Sequence, residues 1–245
     1  MTTTGTVFVS DIHIHFGDAP YRDQFVRFLR RVSTLGDRLY IHGDLFDFYV
    51  GPKQGRLPFY APLFDAIRDL RAAGVRVFVM VGNRDFTMQG DPGFIAAGAE
   101  LVPDEVLVDL GGRTAHLSHG DQFCLDDRSY LASRAVLRFA PITALVRSMP
   151  WFIASSLAKG YRKHSARKMA KHRDRGTNRL ASILRGVENL VSHRQFDFVI
   201  CGHIHYLAET PISTGYGTRL FTTGAWEEGP NCLVFDGADL RILRV

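Results

Sequence analysis

The stretch TVFVSDIHIHFGD, residues 6 to 18, runs a β-rich apolar segment straight into one aspartate and two histidines. Three further runs repeat the arrangement: RLYIHGD (38–44), RVFVMVGN (76–83) and TAHLSHGD (114–121) each end in polar residues. Between them, YRDQFVRFLRRV (21–32) and YAPLFDAIRDLRAA (60–73) carry apolar residues at three- and four-residue spacing, the signature of amphipathic helices. Strands alternating with helices imply a parallel sheet with right-handed crossovers. The polar residues after the strands then gather along its carboxyl edge, where open α/β sheets place their sites. Another strand is expected at FDFVICGHIH (196–205). The short runs RLFTTGAW, NCLVFDG and LRILRV that follow read as an antiparallel meander closing the sheet.

A chain of 245 residues accommodates one large α/β domain with an insertion, or two small domains. With 46% hydrophobic and 22% charged residues it belongs with soluble globular proteins, which excludes disordered and fibrous classes. Cys124, Cys201 and Cys232 form no paired framework, and free thiols point to a reducing compartment, most simply the cytosol. No basic region followed by an apolar stretch opens the chain, so no secretory signal is expected. No run reaches the roughly 18–20 apolar residues of a membrane-spanning helix.

Charge is unevenly spread. Residues 128–194 hold 15 Lys/Arg against two acids, a net of +13, while the remainder holds 15 against 23, a net of −8. The same segment loses the strand signals and keeps only helical patterns, interrupted by Pro141 and Pro150. The chain therefore reads as a core domain of residues 1–127 and 195–245, interrupted by a basic helical insertion at 128–194 that meets something anionic.

The strand ends supply Asp11 and His13, then Asp44, then Asn83 with Arg84 and Asp85, then His119, then His203 and His205. One such residue alone would ordinarily be a cap or a turn. Five successive strand ends of this kind, four with a glycine alongside (Gly43, Gly82, Gly120, Gly202), are too regular for turn composition. Carboxylate, amide oxygen and imidazole without thiolate suit Mn²⁺, Fe²⁺ or Zn²⁺. Seven ligands exceed one tetrahedral ion; they suit two ions about 3.5–4 Å apart that share a carboxylate. In DIH and HIH the polar residues are two apart, so extended backbone would aim both at one face.

The ordered set DIH, GDLFD, GNRD, HGD and GHIH, spanning residues 11–205, resembles the calcineurin-like metallophosphoesterases. That resemblance implies an α/β fold: a layered β-sheet core of the metallophosphoesterase type, flanked by helices, with a helical lid insertion. It implies one metal held by Asp11, His13, Asp44 and His205, and another by Asn83, His119 and His203, with Asp44 bridging. A hydroxide between two divalent ions would be the nucleophile. Asp47 and Asp85 are expected to orient other groups rather than bind metal. His15, His42 and His116 fall outside the pattern and read as structural, solvated or supporting, so the site should survive loss of His15.

Most members of that superfamily have histidine after the asparagine, where this chain has Arg84. A guanidinium is no general acid near neutral pH, but it holds phosphate bidentately and stabilises developing charge. GNRDF, HGDQFCLDD (119–127) and TGAW (223–226) are similar to the UDP-2,3-diacylglucosamine pyrophosphohydrolases of lipid A biosynthesis, as are the length and the helical insertion. This similarity implies attack at the α-phosphorus of UDP-2,3-diacylglucosamine, releasing UMP and 2,3-diacylglucosamine 1-phosphate, with Mn²⁺ preferred. By it Arg84 and His119 are catalytic, and Asn83, Arg84, Asp127, Ser165, Lys171 and His203 contact substrate. Met169 and His172 stand where that family has asparagine and lysine.

APITALVRSMPWFIASSLAKGYRK (140–163) is mostly apolar and runs into the basic YRKHSARKMAKHRDR. Such a lid would bury acyl chains and rest on an anionic membrane surface. The expected location is cytoplasmic, peripheral to the inner membrane, with no nucleic acid and no obligate protein partner. The alternatives are a dinuclear phosphodiesterase or nucleotide pyrophosphatase of other specificity, a nuclease gripping phosphates through the basic segment, and a non-catalytic scaffold. Aromatics embedded in aliphatic sequence argue against the nuclease. Filled ligand positions argue against the scaffold.

Overall fold

The computed structural model describes residues 5–158, 160, 180–214 and 217–245. Its first sheet contains β1 (Thr6–Val9), β2 (Arg38–His42), β3 (Arg76–Met80), β4 (Glu100–Leu101), β10 (Asn231–Phe235) and β11 (Leu240–Arg244), in the order β11-β10-β1-β2-β3-β4. β1 to β4 are parallel, as the strand–helix alternation predicts, and β10 runs antiparallel to β1. The second sheet contains β5 (Glu105–Leu110), β6 (Arg113–Ser118), β7 (Phe198–Cys201), β8 (Ala208–Pro211) and β9 (Arg219–Thr222), in the order β5-β6-β7-β9-β8.

Two layered sheets, as the family resemblance implies, replace the single sheet that the strand pattern alone suggests, and the tail is not a meander. β9 lies parallel to β7 in the second sheet, and the chain then crosses back to place β10 and β11 on the first. The reason lies in the alternation of side chains along the strands. Val7, Val9, Leu39, Ile41, Val77 and Val79 face one way, against the helices Ala19–Leu29 and Ala61–Ala72. Phe8, Tyr40, Phe78 and Met80 face the other way and need a second apolar layer, supplied by Leu117, Phe198, Ile200 and Phe221. The rings of Phe8, Tyr40 and Phe78 stack in a row, with centroids 5.4 and 4.4 Å apart.

The outer face of the second sheet is covered by helix Ala181–His193, whose Ile183, Val187 and Val191 pack on Val199, Cys201 and Leu220. Gly186 permits that approach, because a β-carbon there would collide with the backbone of Phe123. The result is a helix–sheet–sheet–helix stack. The helices Arg128–Leu137 and Ala140–Ser148 differ, since neither buries a single residue. Pro141 sits in the first turn of the second, where its missing N–H costs nothing. Among the described residues, no helix is long and apolar enough to cross a membrane.

Candidate functional site

The strand ends that sequence singled out, those of β1, β2, β3, β6 and β7, come from both sheets and meet at their common carboxyl rim. Asp11, His13, Asp44, Asn83, His119, His203 and His205 all gather there. The Nε2 atoms of His13 and His205 lie 3.8 and 3.4 Å from Asp11 Oδ1, and His13 Nε2 lies 3.4 Å from Asp44 Oδ2. On the other side His119 Nε2 and His203 Nδ1 each stand 2.9 Å from Asn83 Oδ1, and His119 Nε2 stands 3.6 Å from Asp44 Oδ2. Asp44 thus adjoins both halves of the cluster, as a bridging carboxylate must.

The backbone is bent to achieve this. Asp11, His13, Asp44, His203 and His205 have φ between 52° and 67°, and among the described residues no other non-glycine has positive φ. Left-handed backbone costs a residue with a β-carbon roughly 1–2 kcal/mol, and outliers of this kind cluster where structure serves chemistry. The expectation that DIH and HIH lie in extended backbone is therefore wrong, although both pairs do converge. β1 ends at Val9, and the left-handed residues on either side of buried Ile12 turn both ligands inward. Glycines open the space: a β-carbon on Gly82 would collide with Asp44, and one on Gly202 with Asp11 and Ser10.

The rim is held by hydrogen bonds as well as packing. Asp11 N donates to Gly43 O (3.1 Å), His13 N to Asp44 O (3.0 Å), Gly202 N to His119 O (2.9 Å) and Trp226 N to Asp11 O (3.1 Å). Asp85 binds backbone only: it accepts from Gly82 N (2.6 Å), Leu45 N (2.8 Å) and Phe46 N (3.3 Å), tying the loop after β2 to the loop after β3. Burial first, and then the charge of Asp44, pushes its carboxyl up to about 7. Asp121 accepts from Arg134 Nε (2.7 Å) and Tyr130 Oη (2.9 Å), which ties helix Arg128–Leu137 to the loop carrying His119.

Electrostatics suit metal ligation. Burial opposes ionisation of Asp11 and Asp44, but the surrounding imidazoles outweigh it and hold both carboxyls well below the usual range. Burial lowers His13, and burial with the charge of His119 brings His203 down to about 4, so both rings are neutral near pH 7. His119 is the exception: burial disfavours charging it, yet Asp44 and Asp11 raise it overall, so this ring would have to release a proton to take a metal. Ionised carboxylates and neutral imidazoles are the forms that bind metal. Asp11, His13 and His205, and likewise Asp11, Asp44 and His119, bring ligand atoms within 4.8 Å of one another. Atoms about 2.0–2.2 Å from a shared ion stand roughly 3–3.5 Å apart, close to the 3.4 Å that separates His205 from Asp11 and His13 from Asp44. The donor set fits a pair of divalent ions.

Arg84, the catalytic candidate, edges the cluster. Its backbone N–H donates to Asp44 Oδ1 (2.9 Å), and its guanidinium reaches Asp44 Oδ2 (3.4 Å) and Asp47 Oδ1 (3.2 Å). Asp47 contacts Arg84 on one carboxylate oxygen and His15 on the other. His42 lies buried beneath the site, with its carbonyl 3.3 Å from His119 Nδ1, while His116 pairs with Glu105 at 3.0 Å. Asp127 caps helix Arg128–Leu137, accepting from Tyr130 N at 2.9 Å. Ser165, Lys171, Met169 and His172 lie outside the described residues. Sequence reasoning missed Ser10, which contacts the Asp11 carboxylate and lies 2.5 Å from Thr223 Oγ1. The signal was half visible, since Thr223 opens the TGAW motif, but nothing marks Ser10 before the fold joins them.

The chain matches the model of the calcineurin-like phosphoesterases across residues 6–207. It belongs to that family and is a metal-dependent hydrolase. Among its curated relatives, the UDP-2,3-diacylglucosamine hydrolase of Chromohalobacter salexigens is 31% identical over 91% of this chain and 89% of its own. That of Stenotrophomonas maltophilia strain R551-3 is 32% identical over 91% and 92%, and that of Escherichia coli O81 27% identical over 97% and 98%. Among solved structures an archaeal phosphodiesterase aligns over 99% of this chain and 100% of its own, at 11% identity and a TM-score of 0.48.

Proposed function

We propose that this chain hydrolyses the pyrophosphate of UDP-2,3-diacylglucosamine, giving UMP and 2,3-diacylglucosamine 1-phosphate. Relatives bearing that activity in their names match it over nearly the full length of both chains. The observation that carries the reading is Arg84, held by Asp44 and Asp47 where a superfamily histidine would be. Hydrolysis of a phosphodiester expels an alkoxide and gains from a proton donor. A pyrophosphate expels a phosphate monoester, whose second pKa of about 6 lets it leave without one. A permanently charged guanidinium costs nothing there and binds phosphoryl oxygens in a fork.

Divalent ions held there, which we take to be Mn²⁺, would supply Lewis-acid charge to the phosphoryl oxygens and make a water more acidic. Asp11, His13, Asp44 and His205 would hold one, and Asn83, His119 and His203 the other, with Asp44 placed beside both. Asp85 keeps the loops after β2 and β3 in register, and Arg84 orients the phosphate and stabilises its charge. The insertion, residues 128–194, acts as a lid. A cleft of about 670 Å³ lies between helix Ala140–Ser148 and the core, lined by Val81, Phe86 and Ala144 but also by Asp104, Arg138 and Arg147, so it sets cations beside an apolar wall. Phe139, Leu145, Phe152 and Leu157 are exposed on the same segment, and with its basic residues they rest on an anionic membrane surface at the cytoplasmic face. Asp127, Ser165 and Lys171 are assigned to the glucosamine and phosphate.

Mn²⁺-loaded protein incubated with UDP-2,3-diacylglucosamine should yield UMP and 2,3-diacylglucosamine 1-phosphate, identified by mass. No UMP, with brisk turnover of a small phosphodiester, would overturn the assignment.

A further inference from the structure

We propose that Glu227, acting through His15 and Asp47, is a positioning residue for Arg84. Four side chains from four separate loops form a row. Arg84 Nη1 reaches Asp47 Oδ1 at 3.2 Å, Asp47 Oδ2 lies 3.2 Å from His15 Nδ1, and His15 Nε2 lies 2.8 Å from Glu227 Oε1. Both ring nitrogens of His15 face carboxylate oxygens, so a ring carrying both protons donates to Asp47 and Glu227 together, while a neutral ring donates to one of them. The row also spans a gradient of exposure: Asp47 is buried, whereas His15 and Glu227 are near 40% exposed.

The outer end stands on a fixed post. Glu227 follows Trp226, whose indole is edge-on to Phe25 and Phe28 at 5.1 Å each. Trp226 Nε1 donates to Asn231 O (2.8 Å), and its backbone N–H donates to Asp11 O (3.1 Å), so the post is tied to a metal ligand's own backbone. Such anchoring matters because an arginine side chain has many rotamers to lose, and a phosphate contact benefits from having that freedom removed in advance. Asp44 serves the metals once they bind, which leaves Asp47 and its brace with more of the work of aiming the guanidinium. A carboxylate held at both oxygens, by Arg84 on one and His15 on the other, cannot swing away.

This inference rests on the reading of Arg84 as the phosphate contact, so the test separates the two. Turnover of bis(p-nitrophenyl) phosphate with Mn²⁺, inhibition by inorganic phosphate and bound metal are measured for Glu227→Ala, Glu227→Gln, His15→Ala and Arg84→Ala, and for the first and third in the Arg84→Ala background. Glu227→Ala and His15→Ala should each lower kcat/KM and weaken phosphate inhibition about tenfold, with metal content unchanged. Glu227→Gln should restore most of the loss, because its amide oxygen still accepts from His15. In the Arg84→Ala background neither change should matter further. The same tenfold loss in that background, or full activity of both single variants beside an impaired Arg84→Ala, would overturn the brace alone. An unimpaired Arg84→Ala would overturn the phosphate role of Arg84 and the brace with it.

Discussion

The strand-end rim and the helices at 128–158 break the usual rule of burial in opposite directions. At the rim Asp11, Asp44, Asp85, Asp121 and His119 are all at or below 2% exposure, while on the helices Phe139 and Phe152 are 59% and 63% exposed. Charge inside and aromatic rings outside are the two arrangements that folding free energy alone disfavours. Each is tolerated where something absent from the bare chain completes it. For the rim divalent metal would do so, and for the helices we propose a lipid surface.

Breaking the rim should have the largest effect. Asp44→Ala removes the carboxylate common to both halves of the cluster, so turnover should fall about a thousandfold or more and bound metal should drop. Full metal content by elemental analysis would show that Asp44 does not bridge. The helices should respond differently: a Phe139→Ser, Phe152→Ser double variant should raise KM for the diacylated substrate about tenfold and reduce sedimentation with anionic vesicles. Its loss on a small diester should be much smaller, and equal losses on both substrates would erase the distinction between the two regions.

The smallest effect lies at the outer edge of the rim. The His15 contact, partly opposed by burial, lowers Glu227 from 4.5 to about 2. Its folded value lies below its unfolded one, so its stabilisation is present above about pH 4.5 and is lost as pH falls toward 2. With Glu227 42% exposed, screening leaves well under ~1 kcal/mol. Melting temperatures should therefore fall less steeply across this window in Glu227→Gln, and identical slopes would show that the pair contributes nothing.

The residues that cluster at the rim were legible because each sits within a few residues of a strand end, in a short motif whose spacing survives without tertiary knowledge. Parallel order in β1 to β3 was legible for the same reason. The second sheet was not, because a strand apolar on both faces says that it is covered and does not say by what. Left-handed backbone at Asp11 or His203 was equally hidden, since nothing local favours it over the extended form. His15 shows the limit most clearly. Beside His13 it looks like a spare, and its role depends on Asp47 and on Glu227, 212 positions away.

The five left-handed ligand residues bear on protein engineering. Replacing any of them with glycine relieves roughly 1–2 kcal/mol of backbone strain against an entropy cost of about 0.5–1 kcal/mol. It would also thin a crowd of buried charge in metal-free protein. A directed-evolution campaign scored only on heat resistance of the metal-free chain would thus be drawn toward Asp11, His13, Asp44, His203 and His205, and each improvement found there would remove a side chain from the proposed metal centre.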